Sequence, residues 1–166
     1  MADLADHRLD VVLSDAPFSS AIRVRAFNHP LGSCGVTLFC ASAMAARYRK
    51  GFPASLDGAP FLLPLEGSTL RRALDQWLDA QAIRPKLVGE FKDSALMMTF
   101  GQARAGLFVA PSAIEQQVRQ HYKVGVVGHT TDVVERFYAI SVERKLKHPA
   151  VVAISEAARG KLFPRP

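Results

Sequence analysis

An α/β fold with largely parallel sheets is what this sequence predicts, and three observations predict it. Apolar runs of strand character alternate along the chain with segments whose apolar residues recur about every 3.6 positions. Hydrophobic residues make up 49% of the chain and charged residues 22%, enough for a buried core and too little charge for a disordered polymer. The length, 166 residues, suits one domain or two small lobes that share strands.

The elements follow in order. Leu9–Leu13 (LDVVL) is a short apolar run closed by the turn-prone SDAP, which predicts a strand buried on both faces. Ile22–Phe27 alternates Ile22, Val24 and Ala26 with Arg23 and Arg25, a strand with one wet face, and Gly35–Cys40 is a further strand. After a strand at Phe61–Leu63 comes the clearest helix. Leu70, Ala73, Leu74, Trp77 and Leu78 share one face, Arg71, Arg72, Asp75 and Asp79 the other, and Gly67 with the N-cap Ser68 marks the start. The pattern repeats with a strand at Leu87–Phe91, an N-cap at Asp93, a helix carrying Leu96, Phe100 and Ala103, and a strand in Gly106–Ala110 stopped by Pro111. Met97, Met98 and Phe100 read as core filling, and Trp77 as core or lobe interface. Ser112 and Glu115 form a capping box for a helix with Ile114 and Val118 on one face, ending near Tyr122. Strands are predicted at Val124–Val127 and Phe137–Val142, and His148-Pro149 opens a last helix burying Val151, Val152 and Ile154. One anomaly stands out: an interior-type strand near residue 9 needs sheet neighbours, and few candidates remain to supply them.

Several function classes fall away. The uncharged stretch Val36–Ala46 is too short to span a bilayer, and MADLADHRLD is no export signal, which predicts a soluble, cytoplasmic protein. Cys34 and Cys40, six positions apart on a strand, would lie about 20 Å from each other, beyond disulfide reach. With no CxxC or HxxxH and with His7, His29, His121, His129 and His148 scattered, no structural zinc site or other cofactor is expected. The net charge of +6 is concentrated after residue 118, yet no aromatic residues interleave Arg144, Lys145 and Lys147, so the cluster reads as a solvated face. No repeat, GxSxG, HExxH, P-loop or GxGxxG occurs.

Taken in sequence, the segments HRLDVVLSDAP, the NHPLG turn, CGVTLFCA, PLEGSTLRRALDQWLDAQAIRP, GEFKDSALMMTFGQARAGLFVAP and ERFYAISVERKLKHPAV resemble the effector-binding region of LysR-type transcriptional regulators over nearly the whole chain. LSDAP, the CGV strand, GEFKDSALM and FVAP look most like the branch that activates genes of Na+/H+ antiporters. The resemblance implies a two-lobed fold of the periplasmic-binding-protein kind (type 2), with a small effector between lobes joined by two crossover strands, CGVTLFC and RFYAISV. It draws a partial first lobe at 1–40 and 141–166 and a second lobe at 41–140. The family's N-terminal winged helix-turn-helix, linker helix and opening part of the first lobe have no counterpart here, which accounts for the anomaly at Leu9. The chain is therefore expected to be a fragment, unable to hold an operator by itself, whose complete form reaches promoter DNA through the missing domain and forms a homo-oligomer.

Ligands in open α/β lobes sit at the carboxyl ends of parallel strands and at helix N-termini. Three such ends are candidates for effector binding. Ser14 and Asp15 follow LDVVL, where a turn with Asp15 bonding its own backbone would serve equally. Glu66, Gly67, Ser68 and Thr69 precede the Leu70 helix at the place where family members contact effector, and simple capping is the alternative. Lys92 and Asp93 open the next helix, as an ordinary surface cation and cap or as ligand groups. Asp15, Glu66 and Asp93 together with the hydroxyls form an all-oxygen set suited to a hard cation, although an organic effector with an amine or hydroxyl fits too, and the carboxylates could simply pair with Arg71 or Lys92. The leading reading is a sensory domain without enzymatic activity, in which effector binding closes a cleft and biases an oligomer that holds DNA elsewhere. A soluble solute-binding protein of the same fold and a small enzyme are the competing classes.

Overall fold

The computed structural model describes residues 2–6, 8–19, 26–142 and 149–163. The elements in chain order are helix α1 (Ala2–Ala5), strands β1 (Val12–Ser14) and β2 (Phe27–Ala41), helix α2 (Ser42–Arg49), strand β3 (Pro60–Pro64), helix α3 (Thr69–Ala80), strand β4 (Lys86–Phe91), helix α4 (Ser94–Gln102), strand β5 (Phe108–Pro111), helix α5 (Glu115–Tyr122), strand β6 (Val124–Ser141) and helix α6 (Pro149–Ala157), which runs into a π-helical turn at Ala158–Leu162. They form two compact units, Met1–Cys34 with Glu135–Pro166, and Gly35–Val134. The long strands β2 and β6 contribute to both.

In the Gly35–Val134 unit, strand periodicity distributes the core over two faces. Leu38 and Cys40 of β2, Phe61 and Leu63 of β3, and Val109 of β5 join Leu74, Trp77 and Leu78 of α3. Their neighbours in sequence, Phe39, Leu62, Phe108 and Ala110, join Met97 and Met98 of α4 and Val118 of α5. Helices thus cover both sides, as a strand apolar at every position requires. Strand β3 pairs with β4 in parallel, from Pro60↔Lys86 to Pro64↔Phe91, and Leu62 N–H donates to the Leu107 carbonyl at 2.7 Å on its other side.

In the other unit β1 pairs antiparallel with β6, Val12↔Ile140 to Ser14↔Tyr138. Asn28 clasps the chain before β2 through two bonds to the Phe18 backbone, at 2.8 and 3.0 Å. The Arg159 guanidinium donates to the Pro30 carbonyl at 2.9 Å, and Phe163 stacks on Phe137 with centroids 5.1 Å apart.

Several sequence expectations need correction. Among the described residues β3 pairs in parallel with β4 and makes a parallel bridge between Phe61 and Leu107, while β1 with β6 and β2 with β5 are antiparallel. The first strand is Val12–Ser14, not Leu9–Leu13, and it is an edge strand of the order β1-β6-β2-β5 with Leu9 45% and Leu13 58% exposed. An edge leaves one side uncovered, so an apolar run need not be doubly buried. NHPLG is no turn: it lies within β2, where Pro30, which has no N–H to donate, offers its carbonyl to Arg159. Val124–Val127 and all but the last residue of Phe137–Val142 are parts of the single strand β6, which ends at Ser141, because pairing in the sheet overrides the polar His129–Asp132 segment. On α4 the buried side chains are Met97 and Met98, with Gly101 beneath them, while Leu96, Phe100 and Ala103 are exposed. Ile154 is likewise 47% exposed. The 22–25 part of the Ile22–Phe27 strand, His148 and the Arg144, Lys145, Lys147 cluster lie outside the described residues.

Both cysteines are free, with Cys34 half-buried and Cys40 buried. Burial pushes the Cys40 thiol up to about 11, against a smaller opposite pull from Arg49. Since the thiolate is the reactive form, iodoacetamide at neutral pH is expected to modify Cys34 and spare Cys40, as read by peptide mass spectrometry. Equal labelling of the two would contradict this packing.

Candidate functional site

The carboxyl ends of β3 and β4 lie side by side, since Pro64 and Phe91 are register partners. Leu65 N–H donates to the Phe91 carbonyl at 2.8 Å and Ser68 N–H to the Leu65 carbonyl at 3.2 Å, which folds the Leu65–Ser68 loop over the strand ends. Gly67 makes the turn at φ +84°, in the left-handed region that favours glycine. Its carbonyl accepts from the Arg72 guanidinium at 3.0 Å.

Two helices begin at these ends. Ser68 caps α3, its hydroxyl accepting from Arg71 N–H at 3.1 Å, and Asp93 caps α4, its carboxylate accepting from Leu96 N–H at 2.8 Å. Each cap satisfies one backbone donor of a first turn that has four without intrahelical partners. Two of the three sequence-derived groups, Glu66–Thr69 and Lys92–Asp93, are thereby brought to one edge of the Gly35–Val134 unit. Glu66, Thr69, Lys92 and Asp93 are exposed there.

Arg71 does not consume the candidate carboxylates. Its guanidinium lies beneath the loop, bonded to both oxygens of Asp75 at 3.0 and 2.9 Å, to the Pro64 carbonyl at 3.0 Å and to Glu90. Burial alone would lower its pKa, and the bonds from Glu90 and Asp75 outweigh that, holding it above the ordinary arginine value. Among the described residues Glu66 and Lys92 have neither a side-chain hydrogen bond nor an ion pair, so the edge presents one carboxylate and one ammonium without protein partners.

Ser14 and Asp15 belong to the other unit. There the Ser14 hydroxyl accepts from Ala16 N–H at 3.1 Å, so Ser14 rather than Asp15 makes the local turn bond. Asp15 is exposed and acts on Glu135: burial first, and the charge of Asp15 second, push the Glu135 carboxyl up to about 7. Sequence reasoning missed Glu135, which carries no local signal: it follows Val133 and Val134 on β6 and stands beside Arg136. Among the described residues no three His, Cys, Asp or Glu side chains stand close enough to hold a metal ion.

The capping box also differs from expectation. Ser112–Ile114 forms a 3-10 turn before α5, and the Ser112 hydroxyl donates to the Gly35 carbonyl at 2.9 Å. Glu115 instead binds sideways: one carboxylate oxygen accepts from the buried Thr37 hydroxyl at 3.1 Å and lies 2.6 Å from His129 Nε2. This links β2, α5 and β6 inside one unit, through contacts too distant in sequence to read locally.

No helix among the described residues is long and apolar enough to cross a membrane. The chain is 34% identical over 163 residues to the transcriptional activator protein NhaR of Escherichia coli (strain K12), and equally to NhaR of Shigella flexneri. The match covers 98% of this chain and 53% of each relative, so the chain spans about half their length. Among solved structures, the regulatory domain of HypT from Salmonella typhimurium in its apo form superposes with a TM-score of 0.64 at 16% identity, covering 96% of this chain and 75% of that one. The Synechocystis PCC6803 CcmR regulatory domain in complex with 2-PG gives 0.60 at 10% identity, covering 97% and 77%. These likenesses carry the fold, the two-lobed periplasmic-binding-protein-like architecture of LysR regulatory domains. The family model of the LysR substrate binding domain matches residues 1–162, and the chain belongs to that family.

Proposed function

We propose that this chain is the sensory region of a transcriptional activator of the NhaR kind, responding to sodium or other cation status or to a small solute. Promoter DNA would be held by a separate N-terminal segment of the complete regulator, acting as a cytoplasmic homo-oligomer with no enzymatic step. The observation that carries the reading is the edge formed by β3 and β4. Two capped helix starts, Glu66 and Lys92, which are unpaired among the described residues, and the Thr69 hydroxyl lie there, with Arg71 withdrawn into its own ion pairs. An oxygen-rich edge of this kind suits a hard cation or a ligand bearing an amine or hydroxyl.

The test compares thermal unfolding in NaCl and KCl at matched ionic strength, and with candidate solutes, for the chain and for Glu66→Gln and Asp93→Asn. Asparagine caps a helix as well as aspartate does, so Asp93→Asn removes charge and keeps the cap. A sodium- or solute-specific rise in Tm that both variants lose is the expected result. An undiminished rise in both would discard the site.

A further inference from the structure

We propose a second ligand site in the Gly35–Val134 unit, away from the β3–β4 edge, that takes a small zwitterion of the α-amino-acid type. An open groove of about 480 Å³ lies between α2 and the Ser55–Pro60 loop, lined by Arg47, Tyr48, Ser55 and Asp57 with Met44 and Pro60 as its apolar part. That volume falls in the range of about 300–1,000 Å³ in which small-molecule sites occur.

The polar groups are complementary in sign and have capacity to spare. The Arg47 guanidinium sits 5.4 Å from the centroid of the Tyr48 ring and has no carboxylate partner among the described residues. Tyr48 is only 5% exposed as a residue and lines the groove, and its hydroxyl has no protein hydrogen-bond partner among the described residues, which leaves the phenol able to donate to a ligand. Asp57 uses Oδ1 to accept from Arg84 N–H at 2.9 Å, and its second oxygen has no partner among the described residues.

The frame around these groups is rigid. The Ser55 hydroxyl donates to the Tyr48 carbonyl, and Leu56, fully buried, anchors the Ala54–Leu56 turn in the core. The groove therefore holds one fixed carboxylate, one cation backed by an aromatic face, and a phenol donor. A ligand with an ammonium for Asp57 and a carboxylate for Arg47 and Tyr48 satisfies all three at once. A simple anion would face Asp57, and a simple amine would face Arg47.

The test is titration of the intact chain with each of the standard amino acids, followed by NMR and calorimetry, with acetate and methylamine as single-charge controls. At least one amino acid is expected to perturb the Tyr48 ring signals saturably, with both controls binding at least about tenfold more weakly. Arg47→Gln and Asp57→Asn should each weaken binding about tenfold or more, the asparagine still able to accept from Arg84. Glu66→Gln should leave it unchanged, which separates this site from the β3–β4 edge. If no amino acid binds, if acetate binds as well as they do, or if Arg47→Gln is without effect, the proposal is overturned.

Discussion

Phe108→Ala is expected to cost about 3–5 kcal/mol of unfolding free energy, a large share of the roughly 5–15 kcal/mol that holds a typical domain together. The side chain is 0% exposed and stacks on Phe39 with centroids 5.4 Å apart and planes 19° from parallel. Gly101 of α4 lies directly over the ring, so close that a Cβ at that position would fall inside the ring's van der Waals envelope. A helix seated this tightly cannot follow the sheet inward when the ring is removed, and the cavity would persist beneath Met97 and Met98. Urea unfolding monitored by far-UV circular dichroism measures the loss. Phe100→Ala is the internal control, since Phe100 is 47% exposed and touches Phe91 at its rim, and it should cost no more than about 1 kcal/mol. Equal losses would mean that α4 is seated through the other face.

That contrast also locates the boundary of what the sequence reveals. On α4 the spacing of Leu96, Phe100 and Ala103 is as helical as that of Met97, Met98 and Gly101. Periodicity identifies the helix but not which stripe meets the sheet, and the deciding feature, a glycine accommodating an aromatic ring from another strand, has no local signature. The caps were legible for the opposite reason: Ser68 to Arg71 and Asp93 to Leu96 are contacts over three residues, set by local geometry. They put two of the three candidate groups at helix starts through local contacts alone, and the pairing of β3 with β4 sets those starts side by side. Glu115 shows local grammar failing. It stands at a capping-box position after Ser112, but Thr37, 78 residues away, and His129 claim its carboxylate. In the same way β6 reads as two strands, because only its pairing in the sheet carries it through His129–Asp132.

Glu135→Gln is expected to stabilise the protein, by an amount that grows with pH. Burial, and then the negative charge of Asp15, raise the Glu135 carboxyl from an ordinary 4.5 to about 7, and its Oε2 is sealed from solvent without a hydrogen-bond partner. The folded state therefore binds the proton more tightly than the unfolded chain. Below about pH 4.5 both states are protonated and the residue costs little; between about pH 4.5 and 7 the unfolded chain ionises while the folded state keeps its proton, so stability falls across that window and levels off above it, where the folded state carries a buried charge. The accumulated difference is roughly 2–3 kcal/mol above pH 7, allowing for the part of the side chain that reaches water. Glutamine has the shape of the neutral acid and no proton to lose, so wild type and variant should unfold alike at about pH 4, diverge between about pH 4.5 and 7, and keep a constant difference from there toward about pH 8. Asp15→Asn removes only the second cause and should recover a smaller part of the difference. Parallel stability profiles for wild type and Glu135→Gln from pH 5 to 8 would show that the carboxyl is solvated or paired in the folded state, and with that the account of Asp15 as its charged neighbour would go too.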